Sequence, residues 1–150
     1  MKKERGLYQV SLKVIMKNKK GEILGLKAVD KGSMKGYYDL PGGRIDEDEF
    51  ATPFEEIIKR EIQEEIGSVK FSLNARPVAV GRHNISKEVT GYEKDIHVLY
   101  VFFEARYIDG EIILNHEHLG FLWIDISEIK LEGYFNSGIL EGIKMYLAKK

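Results

Sequence analysis

Residues 42–67 read GGRIDEDEFATPFEEIIKREIQEEIG. Two glycines lead into an acidic loop, and the loop into a segment whose apolar residues fall at helical spacing. Phe54, Ile57, Ile58, Ile62 and Ile66 recur three and four residues apart, the stripe of a helix laid on a core. Thr52 suits the N-cap and Pro53 the first helical position, while Glu55 completes a T-x-x-E capping box. Gly67 falls where a left-handed residue ends a helix.

The acids of that helix are unevenly placed. Glu61, Glu64 and Glu65 lie at i, i+3 and i+4, so they share one side, where like charges destabilise a helix by a few tenths of a kcal/mol per pair. Measured from Ile58 at about 100° per residue, Glu65 is only about 20° away, Glu61 about 60° and Glu64 about 120°. Glu65 therefore projects from the edge of the apolar stripe. A carboxylate so near a core is costly unless it is paired or binds a metal. The two readings open at this point are a solvated acidic face with Glu65 paired to a buried Arg or Lys, and a divalent-cation site.

The order of residues separates them. Leu40-Pro41-Gly42-Gly43, five residues, Glu49, and then Arg60-Glu61-Ile62-Gln63-Glu64-Glu65-Ile66-Gly67 resembles the signature box of the Nudix hydrolases, G-x5-E-x7-R-E-U-x-E-E-x-G-U with U a bulky apolar residue. Two departures stand out. Ten residues, not seven, separate Glu49 from Arg60, and Ser68 replaces the final apolar residue, with Val69 next. The capping signals fix the helix start, so the three extra residues belong to the loop before Thr52. They leave the helix carboxylates untouched and bear on the role of Glu49.

The resemblance implies an α+β Nudix fold, a mixed β-sheet sandwiched between α-helices, with residues 1–150 as one domain. It implies hydrolysis of a diphosphate bond in a nucleoside diphosphate linked to another moiety, by attack of water on phosphorus. Such substrates include nucleoside triphosphates, ADP-ribose, nucleotide sugars and dinucleoside polyphosphates. Oxygen ligands without thiolates select hard cations, so Mg²⁺ is expected, with Mn²⁺ possible. By the same resemblance Glu61, Glu64, Glu65 and the carbonyl of Gly43 ligate the metal. Arg60 pairs with an acid of the loop, most simply Glu49; the alternatives are an Arg60–Glu56 surface pair and a solvated Glu49. The general base is either a glutamate of the box helix or a distant carboxylate. Glu117, in Asn115-His116-Glu117-His118, is the distant candidate, and a polar hairpin tip is the alternative. His116 and His118 would share a face of an extended segment, but a zinc site lacks further nitrogen or sulfur ligands in view.

Composition agrees with a compact enzyme. At 150 residues, 43% hydrophobic and 31% charged, the chain has globular proportions. A net charge of −1 gives no basic field for nucleic acid, so no stable nucleic-acid partner is expected. Cysteine is absent, which excludes disulfides and thiol nucleophiles and fits a cytoplasmic location. Lys13 and Gln9 break the only apolar stretch near the start, so neither a signal peptide nor a membrane span is expected. The chain is expected to be a monomer or homodimer.

Outside the box, 8–17 alternates with Val10, Leu12, Val14 and Met16 on one buried face, and 22–29 forms the next strand. A polar loop follows over 30–36. Residues 71–82 read as extended, with Pro77 at an edge or bulge. The most apolar stretch, 96–107, is expected to be the central strand, buried on both faces. Short strands are expected at 112–114 and 122–124, a helical turn capped by Asp125 or Ser127, and a closing helix over 136–148. Substrate contacts are assigned to Tyr38, whose ring could instead plug the core, to Arg44 beside the glycines, and to Arg82 and Tyr92 in a long polar loop over 82–95, for which a solvated loop is the alternative. Two competitors come from other classes. An isopentenyl diphosphate isomerase of the same fold is disfavoured by the absent cysteine. A catalytically inactive Nudix-like nucleotide sensor is disfavoured by the intact box glutamates.

Overall fold

The computed structural model describes residues 3–29 and 32–148, so Asp30 and Lys31 of the expected 30–36 loop lie outside the described residues. In chain order the elements are β1 (Gln9–Lys17), β2 (Ile23–Ala28), β3 (Tyr38–Asp39), β4 (Gly42–Arg44), α1 (Phe54–Ile66), β5 (Lys70–Ile85), α2 (Lys87–Thr90), β6 (Ile96–Asp109), β7 (His118–Ile124) and α3 (Ser137–Ala148). Short 3₁₀ turns at Glu47–Glu49 and Leu131–Gly133 complete the path. The fold is α+β, a mixed sheet between helices, as expected.

One edge of β1 pairs in parallel with β6 from Gln9↔Val98 to Lys17↔Arg106, and β6 pairs antiparallel with β5. The other edge of β1 is shared. β2 meets it at Lys17↔Ile23 and then leaves to pair with β7 and β3, while β4 takes positions 11–13. The backbone of 41–45 is stitched along β1 by Val14 N–H to Pro41 O at 2.8 Å and Ile45 N–H to Val10 O at 2.8 Å. This divergence of β1 and β2 opens the cleft that holds the candidate site.

Alternation along the strands sends side chains to two cores. Leu12, Val14 and Met16 face Ile57, Ile58, Ile62 and Ile66 of α1. Ile15 faces the other way, into the core shared with Ile139 and Ile143 of α3. β1 is therefore buried on both faces, where sequence alternation implied one. Ser11 and Lys13, the polar residues that mimicked a solvent face, are buried at 2% and 5% exposure. β6 lies between β1 and β5, so the strand flanked most deeply by others is β1, not β6.

Four other expectations change. α1 begins at Phe54, with Pro53 at the N-cap, because the Thr52 N–H closes the preceding turn on Glu49 O at 3.0 Å. Phe54 is half exposed, its ring edge-on to Phe103. Residues 112–114 form no strand; Ile113 and Asn115 instead donate to the carbonyls of Ile66 and Glu65 at the end of α1. β5 runs on to Ile85 with irregular pairing around Pro77, so the connection to β6 starts only at Ser86 and contains α2.

Candidate active site

Gly42 and Gly43 are required by close approach. Gly42 has φ +129°, and a Cβ there would collide with the carbonyl of Leu12. At Gly43 a Cβ would occupy the position of the Glu61 carboxylate. The glycine strand thus lets α1 press its acids against β4 and β1.

Three arrangements follow along α1. Glu65, 5% exposed, accepts a 2.6 Å hydrogen bond from the Gly42 N–H. Burial pushes its carboxyl up to about 8, against the opposing pull of Lys13 and of that hydrogen bond. Glu61 is likewise raised by burial, with Arg60 acting the other way. Arg60 is the hub of the third arrangement. Its fork meets Glu49 twice at 2.8 Å, and its Nη1 reaches Glu61 at 3.0 Å and Glu64 at 3.3 Å. The Glu49 carboxylate also accepts from the Asp46 N–H at 2.8 Å, and the Arg60 bonds hold it below the usual carboxylate range. The expected Arg60–Glu49 pair forms despite the longer loop, whose extra length includes Phe50, 96% exposed.

The Glu61 and Glu65 carboxylates border a cavity of about 390 Å³, within the range typical of small-ligand sites. Glu61, Glu65, Gly43 and Arg44 line it, and Glu117 and His118 reach it from the β6–β7 connection. Glu64 does not line it; it is 55% exposed and turned onto Arg60. His116 sits in an exposed turn, so the two histidines of 115–118 do not act as a pair. His118 lies 3.9 Å from Glu65, and burial favours its neutral ring.

Three residues expected at the site are elsewhere. Arg82 lies in β5 on the strand face opposite His83, exposed, and does not line the cavity. Tyr92 is 63% exposed beyond α2 and is likewise absent from the lining. Tyr38 packs on Tyr134, ring centroids 6.0 Å apart, with Lys27 over its face. A two-residue strand beside the core leaves it a packing residue.

Sequence reasoning missed the interior of the cavity. Lys13 bonds Asp39 at 3.1 Å, and although burial alone would lower its ammonium, Asp39 and Glu65 hold it up to about 12. His83, Tyr100 and Ser11 form the inner wall with it. The available signal was a polar residue at period two inside an apolar strand: Ser11 and Lys13 in β1, His83 before Ile85 in β5.

The donor set fits a hard divalent cation. Glu61 fills the space that the missing Cβ of Gly43 leaves, and burial drives both cavity carboxylates toward protonation, which positive charge relieves. Among the described residues no three His, Asp or Glu side chains already form a cation cage. Arg60 and Gly42 hold the carboxylates in their present pairings.

The model of the NUDIX domain matches residues 7–141. The chain belongs to the NUDIX domain family. The nucleoside triphosphatase NudI of Klebsiella pneumoniae (strain 342) is 24% identical over 117 residues, covering 77% of this chain and 81% of its own. Among solved structures, a MutT protein from Methanosarcina mazei Go1 is 26% identical with TM-score 0.58, over 81% of this chain and 79% of that one. An ADP-ribose pyrophosphatase from Streptococcus suis 89-1591, 19% identical with TM-score 0.63 over 95% and 92%, shares the fold. The chain is a Nudix hydrolase, and Nudix hydrolases generally need a divalent metal such as Mg²⁺.

Proposed function

We propose that this Nudix hydrolase cleaves a diphosphate bond of a small nucleotide, with nucleoside triphosphates the first class to test, by water attack on phosphorus. The observation that carries the reading is the meeting of the Glu61 and Glu65 carboxylates with Lys13, Arg44 and the glycine strand around one cavity. The name borne by the NudI relative favours triphosphates within that class.

Glu61, Glu65 and the Gly43 carbonyl would hold Mg²⁺, with Mn²⁺ able to replace it, and Glu64 would join them by turning from Arg60 into the cavity. The bound ion supplies neutralisation of diphosphate charge and a more acidic water. The remaining work falls to side chains. Arg44, at the cavity edge, meets a phosphate oxygen; its present partner is Gln9 at 2.7 Å, an exposed contact readily exchanged. Glu117 accepts a proton from the attacking water. Arg60 acts as a positioning residue that keeps Glu61 and Glu64 oriented through Glu49.

Release of phosphate or pyrophosphate with Mg²⁺ is measured across nucleoside triphosphates (oxidised ones included), ADP-ribose, nucleotide sugars and dinucleoside polyphosphates. A metal-dependent hit lost in Glu65→Gln supports the hydrolase and names its branch. Silence across the panel with ligands still binding replaces it with a nucleotide sensor.

A further inference from the structure

The inner wall of the cavity differs in chemistry from the α1 carboxylates, and Lys13, 5.7 Å from the Tyr100 ring centroid, stands at its border. It is made by Ser11 of β1, His83 and Ile85 of β5, Val98 and Tyr100 of β6, and Met34. Register places Ser11 beside Tyr100 and His83 beside Val98, so these strands present one continuous surface.

His83 is the unexplained residue of that surface. It is 8% exposed, its Nδ1 lies 2.7 Å from Ser137 Oγ, and its ring is stacked on Tyr100 at an interplanar angle of 14°. Its Nε2 is buried with no hydrogen-bond partner. Buried polar atoms are nearly always paired, so one left over on a residue that lines the cavity needs a partner such as a water or a ligand atom. Ser137 is the only non-glycine residue with positive φ among the described residues, at +52°. Such strain persists where a side chain is held for use. Here it seats the hydroxyl at the start of α3 against His83, where a Cβ on the adjacent Gly138 would collide with the Arg82 carbonyl.

The occupant's chemistry follows from the lining. Ile85, Val98, Met34 and the Tyr100 ring offer apolar walls, while His83 offers one uncharged hydrogen-bonding atom. A phosphate would be drawn instead to Lys13 and Arg44. A flat, uncharged group with a polar edge fits, and in a nucleotide that group is the base.

We propose that His83, oriented by Ser137 and Tyr100, reads the edge of the substrate's nucleobase through Nε2. Because a serine hydroxyl can donate or accept, the pair can present Nε2 as acceptor or as N–H donor. The site therefore demands a polar base edge without fixing its sign. The proposal rests on the nucleotide reading above and deepens it.

Equilibrium binding by calorimetry in EDTA, where no turnover intrudes, tests it. The probes are the four common ribonucleoside triphosphates and inorganic tripolyphosphate, which carries no base. Wild type is expected to bind its preferred nucleotide at least about tenfold more tightly than tripolyphosphate. His83→Phe keeps the ring against Tyr100 but removes both nitrogens, and it should shrink that advantage about tenfold. His83→Gln should retain more of the advantage. Ser137→Gly, which suits the positive φ and removes the hydroxyl together with its Cβ, should fall between wild type and His83→Phe. An unchanged advantage in folded His83→Phe overturns the assignment, as does an equal loss for tripolyphosphate. A base advantage in a protein that hydrolyses nothing in the panel sinks the hydrolase reading alone. Hydrolysis with no base advantage in wild type sinks this inference alone.

Discussion

At the α1 end of the cavity, Arg60 gathers Glu49, Glu61 and Glu64 into one charged network. At the inner wall, Ser11, His83 and Ser137 carry polarity without net charge. The first end is partly open to water, with the Glu64 side chain 55% exposed. In the second, the His83 ring is held by stacking on Tyr100 and by the Ser137 hydroxyl. The difference teaches how one cavity can handle a charged and a neutral part of the same molecule. Lys13 stands between them, its ammonium shared by Asp39 and the field of Glu65.

The largest effect expected belongs to the charged end. Glu65→Gln should cut turnover on the order of 10²- to 10³-fold, several kcal/mol of transition-state charge stabilisation, while the circular dichroism spectrum stays native. Turnover within a few-fold of wild type would break the assignment of that end. At the junction, Lys13→Met removes one partner of a buried pair and leaves Asp39 uncompensated. Chemical denaturation should register a loss of about 3–5 kcal/mol. Arg60→Lys keeps the charge but loses the fork on Glu49, and should lower kcat/KM by roughly tenfold, as losses in groups that orient ligands do.

The neutral end gives a pH signature. Burial lowers the His83 pKa from its usual 6.5, so the folded protein binds that proton less readily than the unfolded chain. Its contribution is present in full above pH 6.5 and is lost as pH falls through the folded value. Denaturation midpoints from pH 8 to pH 5 should therefore decline less steeply in His83→Phe than in wild type. Parallel curves would show that His83 is not held neutral. The smallest effect is expected from Arg82→Ala and Tyr92→Ala, both outside the cavity: stability within about 0.5 kcal/mol and kcat/KM unaltered for the best substrate of the panel. A clear loss in either would return the 82–95 segment to the site.

The charged end was legible in the sequence and the neutral end was not, for physical reasons. Glycines at a close approach, carboxylates at helical spacing and an arginine within four residues of Glu61 and Glu64 are local patterns, and local patterns survive in one dimension. The burial of Glu65 could be read from a helical wheel alone. His83, Tyr100 and Ser11 come from three strands whose neighbourhood is made only by pairing, and period-two polarity in β1 looked like a solvent face. Arg82 failed for a related reason: β5 continues through it, and strand alternation turned His83 inward in its place. The start of α1 slipped by one residue because Thr52 had a competing turn to close.

The parallel pairing of β1 with β6 has a consequence for how the protein is made. Partner residues from Gln9↔Val98 to Lys17↔Arg106 are 89 positions apart, so β1 waits on the ribosome for its neighbour. At typical synthesis rates that interval is roughly 4 to 18 s. During it Val10, Leu12, Val14, Ile15 and Met16, all in β1, form an apolar strand with an unpaired edge. The glutamate helix emerges within the same interval and can fold early, but the wall that faces it closes only when β6 arrives. Slow translation across 18–95 should therefore lengthen the life of an aggregation-prone nascent chain, and chaperone demand should track that stretch more than the helix that carries the chemistry.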